Sequence, residues 1–165
     1  MGLAIGLVAI VFAALVQVSV LPAFSLFGVQ PNVLIILLVA WMSVRGRREA
    51  FVLIPVGGLV LGLLDSQPLG LAMLAFAPLI LLTEIREMRL IESDLLPAVI
   101  LVALATLSYE ITVLLTLALE GEHPDWLSSV LDVLVPAAIA NVLLLLPVYG
   151  IVSLASWDVR QRRTI

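Results

Sequence analysis

The chain has 165 residues, of which 63% are hydrophobic and 12% are charged, and its formal net charge is −4. Soluble domains contain about 25% charged residues, so this composition excludes an ordinary soluble domain. The chain has no cysteine, which excludes disulfides, thiol nucleophiles, iron–sulfur clusters and c-type haem attachment.

Six apolar runs follow one another along the chain. In chain order they are residues 3–21, 33–44, 50–64, 69–83, 95–119 and 133–157. A helix of about 20 residues crosses the hydrocarbon of a bilayer, so the first, fifth and sixth runs are long enough to span it. The three middle runs are shorter and reach across only with the help of flanking polar residues. The pattern predicts an all-α polytopic membrane protein, with six transmembrane helices in one integral membrane domain over residues 1–165.

All basic residues are arginines, and they lie in three short clusters at alternate gaps between the runs. The clusters are Arg45, Arg47 and Arg48, then Arg86 and Arg89, then Arg160, Arg162 and Arg163. Cytoplasmic loops of membrane proteins retain Lys and Arg, so the alternation predicts that both termini are cytoplasmic. The carboxylates on that side leave only a small positive excess, so we expect surrounding membrane lipid and no nucleic acid as a partner.

Residues 50–84 have two possible paths, because the arginines require only that this segment leave the cytoplasm and return. It forms either two short spans or a re-entrant hairpin. The turn at residues 65–70 contains Asp65 and Gln67, and such polar groups favour the outer surface. We therefore predict two short spans.

Small residues mark two predicted helix-packing faces. Gly6, Ala9 and Ala13 share one side of the first span, and Gly58 and Gly62 form a GxxxG motif in the third. Small residues at this spacing let helix backbones approach closely. Packing inside the chain's own bundle is the favoured interpretation, with docking of a partner as the alternative.

Glu110 is the one ionisable residue deep in a predicted span, about 22 Å from its inner end at 1.5 Å per residue. No arginine reaches that depth, so the carboxyl group must be protonated, bonded to neutral partners or in contact with water. Asn141 reaches the same depth on the returning sixth span. We predict that Glu110 faces the bundle interior near Asn141, with Thr106 one turn below.

Polar side chains concentrate in the outer half of the predicted bundle. They are Gln17, Gln30, Asn32, Asp65, Gln67, Tyr109, Glu110, Asp132 and Asn141. This asymmetry predicts a concavity open to the outside. A set of polar helix ends and one buried hydrogen bond would explain most of the same residues, but Glu110 and Asn141 lie too deep to be ends.

The sequence gives little support for catalysis. His123 lies in an acidic loop, and Ser128 and Ser129 follow it, but neighbours in sequence are not a catalytic triad. The remaining candidates for a metal site are Glu120, Glu122, His123 and Asp125. An ordinary acidic loop explains these residues better than a bound metal does. We expect no catalytic residue, no metal and no cofactor.

Short motifs between residues 30 and 70 carry a family resemblance. Pro31-Asn32 opens a leucine-rich span that ends at Arg45-Gly46, and Gly57-Gly58 precedes Gly62-x-x-Asp65-x-x-Pro68-Leu69-Gly70. With the chain length and the six predicted spans, this pattern resembles the rod shape-determining protein MreD family. The similarity covers essentially the whole chain, although its sharper motifs are confined to this segment.

The resemblance implies a non-enzymatic scaffold in the bacterial inner membrane that supports peptidoglycan synthesis and cell shape during elongation. It implies association with MreC, and through MreC with RodA, its class B transpeptidase partner and the MreB cytoskeleton. It also implies a fold similar to the substrate-binding components of energy-coupling-factor transporters. The outward pocket would hold MreC, with candidate wall residues Asp65, Gln67, Glu110 and Asn141.

A second function uses the same pocket. A substrate-binding component of an energy-coupling-factor transporter would hold a vitamin-like molecule there, and its Ala9-x-x-x-Ala13 face would meet a coupling subunit. A small molecule retained through purification favours transport. Co-purification with a single-span coiled-coil partner favours the scaffold.

Overall fold

The computed structural model describes residues 2–26, 28–64, 70–87, 95–123 and 125–155, and the side chains of these residues apart from 47 and 82–87. This part of the chain is helical and contains no β-strand, with only an isolated bridge between Leu26 and Val29. The predicted all-α class is confirmed.

Six helices make up the described part. They are α1 (Gly2–Ser19), α2 (Val33–Arg45), α3 (Arg47–Leu64), α4 (Leu71–Glu87), α5 (Leu95–Leu119) and α6 (Trp126–Ala155). By length and composition, α1 with its following turn, α5 and α6 are apolar and long enough to cross a membrane, whereas α2 is a shorter apolar helix.

The last helix starts earlier than the sequence predicts. Residues 120–132 were expected to form a loop, but α6 begins at Trp126 because Asp125 caps it: Asp125 Oδ1 accepts a hydrogen bond from Leu127 N at 3.2 Å. A π-helical turn at Val130–Leu134 then joins the first turn to the rest of the helix. Such turns lie within otherwise α-helical segments, so the polar residues at 128–132 do not interrupt α6.

Helix α2 lies at the centre of the bundle and packs against all five other helices. Ten of its 13 residues are buried, so no side of it is left for solvent or lipid. A helix surrounded in this way is expected to be apolar all round, and Ser43 is the one polar residue in its sequence from Val33 to Val44.

The ends of α2 are set by its flanking residues. Pro31 has no backbone N–H, and proline disfavours helical conformation in the residue before it. Asn32 is extended, with φ −98° and ψ 91°, and caps the first turn. At the other end Gly46 takes φ 94°, and its N–H donates to Met42 O. Glycine adopts this left-handed φ without strain, so α2 stops here and α3 begins immediately.

The two ends of the bundle carry opposite charges. We call the end that carries Arg45 and Arg48 the arginine end, and the opposite end, with Glu120, Glu122, Asp125 and Asp132, the acidic end. Helix α1 begins at the arginine end, because Gly2 lies against Arg45 and Glu49. Helix α5 ends and α6 begins at the acidic end.

The small residues of α1 face the interior. A Cβ at Gly6 would lie 2.7 Å from Leu53 Cδ1 of α3 and 3.1 Å from Trp41 Cζ2 of α2. Ala13 is buried and Ala9 is half-buried. The stripe therefore brings α1 against α2 and α3, while the opposite side of α1 exposes Val8 and Phe12.

Helices α3 and α4 approach closely at Gly58. A Cβ there would lie 2.9 Å from the Cα of Met73 and 3.2 Å from the backbone oxygen of Ala72. Gly62, one turn on, is less crowded, because its Cβ would lie 3.8 Å from Ala72 Cβ. Only the first glycine of the GxxxG motif is required by the packing.

We predict different outcomes for alanine at these two glycines. Gly58→Ala forces the α4 backbone away and should lower the free energy of unfolding by about 1–3 kcal/mol, the usual cost of overpacking. Gly62→Ala is the matched control, and it should leave stability unchanged or raise it, since alanine favours helix by about 1 kcal/mol over glycine. Thermal unfolding of the purified variants in detergent measures both, and equal effects would contradict the packing described.

Candidate functional site

The start of α2 is held by three side-chain amides, Gln17, Asn32 and Asn141, which we call the amide cluster. Asn32 N donates to Asn141 Oδ1 at 2.8 Å, Val33 N donates to Gln17 Oε1 at 2.8 Å, and Ile35 N donates to Asn32 Oδ1 at 3.1 Å. The first N–H groups of a helix have no partner within it. The amide cluster supplies acceptors for these donors, and the bonds of Asn32 N and Ile35 N are buried.

Two of the amide nitrogens of the cluster, those of Gln17 and Asn141, also form hydrogen bonds. Gln17 Nε2 donates to Pro31 O at 3.2 Å, and Asn141 Nδ2 donates to Thr106 Oγ1 at 2.9 Å. The Thr106 hydroxyl in turn donates to Val102 O at 2.8 Å, so its oxygen is left to accept. Each amide therefore has one orientation that places donors against acceptors.

The amide cluster and its partner Thr106 join four segments at one level of the bundle. Gln17 comes from α1, Asn32 precedes α2, Thr106 lies near the middle of the 25-residue α5, and Asn141 lies near the middle of the 30-residue α6. Asn141 is 1% exposed and Thr106 is 0% exposed. Leaving such a buried group without a partner costs about 1–3 kcal/mol, so the cluster fixes the relative heights of these helices.

Glu110 lies one turn beyond Thr106 on the same side of α5, since residues four apart share a helix face. Its side chain is half-buried, and none of the hydrogen bonds described above involves it. The Asn141 amide bonds to Asn32 and Thr106. Next to Glu110, the Tyr109 ring lies 5.4 Å from the Phe76 ring, centre to centre, and joins α5 to α4.

The four predicted wall residues are not shown together. Asp65 and Gln67 lie outside the described residues, Glu110 is half-buried on α5, and Asn141 is in the interior. Asn141 therefore has a structural role, because its oxygen and nitrogen already serve neighbouring helices.

Gln17 and Asn32 are the residues that sequence reasoning missed as members of a site. A signal existed for Asn32, because Asn immediately before an apolar run is a typical N-cap. Nothing in the sequence shows that Gln17 and Asn141 meet this cap, since they lie 16 residues and 109 residues from their bonding partners.

A second polar group holds the arginine end. Trp41 Nε1 donates to Glu49 Oε2 at 2.8 Å, and Arg45 Nη1 lies 3.4 Å from Glu49 Oε1. The Arg45 guanidinium carbon is 5.0 Å from the centre of the Trp41 ring, within the range of a cation–π contact. Gly2 packs onto this group, because a Cβ would overlap Arg45 Nη1 and Glu49 Oε1. The ion pair thus joins the starts of α1 and α3 to the end of α2.

Within the described residues, no group of three or more His, Cys, Asp or Glu is arranged to hold a metal ion. The buried polar side chains described here bond to backbone and to one another, an arrangement that holds helices together. Comparison with protein-family models, with curated proteins and with solved structures finds no match to this chain.

Thr106 and Thr112 provide a matched test of the cluster. Thr106→Val removes the acceptor of Asn141 Nδ2 and should lower the free energy of unfolding by about 1–3 kcal/mol. The Thr112 hydroxyl donates only within α5, to Ser108 O at 2.7 Å, so Thr112→Val should have little effect. Unfolding of both variants in detergent would measure the difference. The cluster would not be a stabilising element if the two valine variants unfolded alike.

Proposed function

We propose that this chain is a six-span protein of the bacterial inner membrane, with both termini in the cytoplasm and the arginine end on the cytoplasmic side. Six helices, three of them long and apolar enough to cross a membrane, support this topology. The position of Arg45 and Arg48 at one end of the bundle supports the orientation, because cytoplasmic loops retain arginine.

We further propose that it is an MreD-like scaffold that binds MreC, a single-span extracytoplasmic protein, from the outer side. Through MreC it would associate with RodA, the class B transpeptidase and MreB. The observation that carries this proposal is the role of the motif residues that resemble the family. Pro31 and Asn32 start the central helix, Gly46 ends it, and Gly58 admits α4.

A scaffold also agrees with how the polar groups are used. Asn141, Thr106 and Gln17 stabilise the contact between helices, and the small stripe of α1 is occupied by α2 and α3. That stripe was the surface assigned to a coupling subunit in the transporter alternative. Glu110 is the polar residue next to the cluster that remains available to line an outward pocket.

Single cysteines test the topology, because the chain has none of its own. A cysteine at Glu122 should react with a membrane-impermeant maleimide in intact spheroplasts, and a cysteine at Arg48 should react only after lysis. Ser66→Cys distinguishes two short spans from a re-entrant hairpin, since only a turn at the outer surface would label. Labelling of Arg48→Cys in intact spheroplasts would mean that the orientation is opposite to the one proposed.

Glu110→Gln tests the binding of MreC. The change keeps the shape of the side chain and removes the carboxylate, so we expect reduced co-purification with MreC from the same bacterium at unchanged unfolding temperature. Asn141 is unsuitable because its loss would destabilise the bundle. Thr112→Val is the control and should leave recovery of MreC unchanged. Full recovery of MreC with Glu110→Gln, or a small molecule retained instead, would count against the scaffold.

A further inference from the structure

We propose that the acidic end of α5 and α6 is a docking surface for a basic, amphipathic segment of a different, extracytoplasmic protein. We call this surface the acidic tip. Its carboxylates are Glu120, Glu122, Asp125 and Asp132, and its large apolar side chains are Leu119, Leu127 and Leu131. The proposal rests on the orientation proposed above and does not depend on the resemblance to MreD.

The acidic tip projects beyond the end of α1. Because hydrogen bonds place Gln17, Val33, Thr106 and Asn141 at one level, distances along each helix can be measured from it. At 1.5 Å per residue, α5 continues for about 20 Å beyond that level and α6 for about 22 Å, whereas α1 continues for about 3 Å. The α5–α6 hairpin therefore extends well above the end of α1.

With the helices taken along the membrane normal, the apolar residues of the tip lie beyond the lipid tails. The arginine end lies about 18 Å below the same level along α2, so about 30 Å of hydrocarbon that starts at Arg45 ends about 12 Å above the level. Asp132, exposed on α6, lies about 14 Å above it, which agrees with this boundary because an exposed carboxylate does not stay in hydrocarbon. Leu119, Leu127 and Leu131 lie at or beyond Asp132.

These leucines are strongly exposed: Leu119 is 88%, Leu127 is 71% and Leu131 is 59% exposed. Contiguous apolar surface beside charged groups marks a site for another protein. Leu127 and Leu131 are four residues apart on α6, and Asp132 follows Leu131 directly.

The two helix ends at the tip are capped, which favours recognition. At the end of α5, Gly121 takes φ 92°, and Glu122 N donates to Leu117 O at 3.1 Å. This is the bond of a Schellman motif. At the start of α6, Asp125 Oδ1 accepts from Leu127 N, and Ser129 N donates to Asp125 O at 2.9 Å. Both ends of the connection are thus capped. Binding of a partner therefore costs less conformational entropy.

The negative charge of the acidic tip indicates which kind of partner would bind there. The four carboxylates are exposed, and the chain has no Lys or Arg between residues 90 and 159 to neutralise them. Anionic lipid head groups would be repelled by them. A second copy in the same membrane carries its arginines at the opposite end. Complementary charge must therefore come from a different chain, one whose Lys or Arg accompanies apolar side chains.

A photocrosslinking amino acid at Leu127, incorporated in the native bacterium, tests the proposal. Leu143, an exposed residue of α6 on the arginine side of Asn141, is the control position and should crosslink lipid. At Leu127 we expect a crosslink to a different extracytoplasmic protein, at a peptide that contains Lys or Arg beside apolar residues. Mass spectrometry of the adduct identifies that peptide.

Charge variants complete the test. Combined Glu120→Gln, Glu122→Gln and Asp132→Asn should reduce the yield of that adduct by at least about fivefold, because rim charges govern association. Glu120→Asp with Glu122→Asp keeps the charge and should retain the adduct. Asp125 is left unchanged because it caps α6.

Several results would overturn the proposal: crosslinks only to lipid or to a second copy, a partner peptide without basic residues, or a yield that neutralisation does not change. Any extracytoplasmic partner that meets these criteria, whether MreC or another protein, supports the docking surface. Labelling of Glu122→Cys only after lysis would overturn the extracytoplasmic location of the partner.

Discussion

The structure depends on a helix that starts inside an apolar bundle. A helix N-terminus exposes backbone N–H groups that have no partner in the helix, and water normally satisfies them. At α2 the side-chain oxygens of Gln17, Asn32 and Asn141 take the place of water. Since an unpaired buried donor is costly, this requirement links α1, α2, α5 and α6 at one level.

The central position of α2 follows from the capping of its first N–H groups by these side chains. A short helix capped by its own bundle can be buried along its whole length, which leaves the longer helices to form the surroundings. The remaining close contacts then use small residues: Gly6 admits Leu53 and Trp41, and Gly58 admits the backbone of α4. Lipid tails are as apolar as the side chains of a neighbouring helix, so helices in a membrane associate through close packing and not through the hydrophobic effect. Small residues are therefore common at helix contacts in membranes.

The two ends of the bundle differ in how their charges are used. At the arginine end, Glu49 bonds to Trp41 and lies beside Arg45, so its carboxylate is neutralised within the chain. At the acidic end the carboxylates Glu120, Glu122 and Asp132 are exposed beside Leu119 and Leu131, at the ends of the two longest helices described. One end is built for internal contact, and the other presents charge and apolar surface together.

The sequence by itself determined the helical class, the three long apolar helices and the small-residue stripes, because composition and periodicity are local properties. It predicted that Glu110 and Asn141 lie at one depth with Thr106 one turn below, since rise per residue is constant along a helix. Only the tertiary structure decided that Asn141 bonds to Asn32 and Thr106, and that α6 begins at Trp126. These outcomes depend on hydrogen-bond partners up to 109 residues apart and on the competition of donors for acceptors. A local sequence pattern contains neither kind of information.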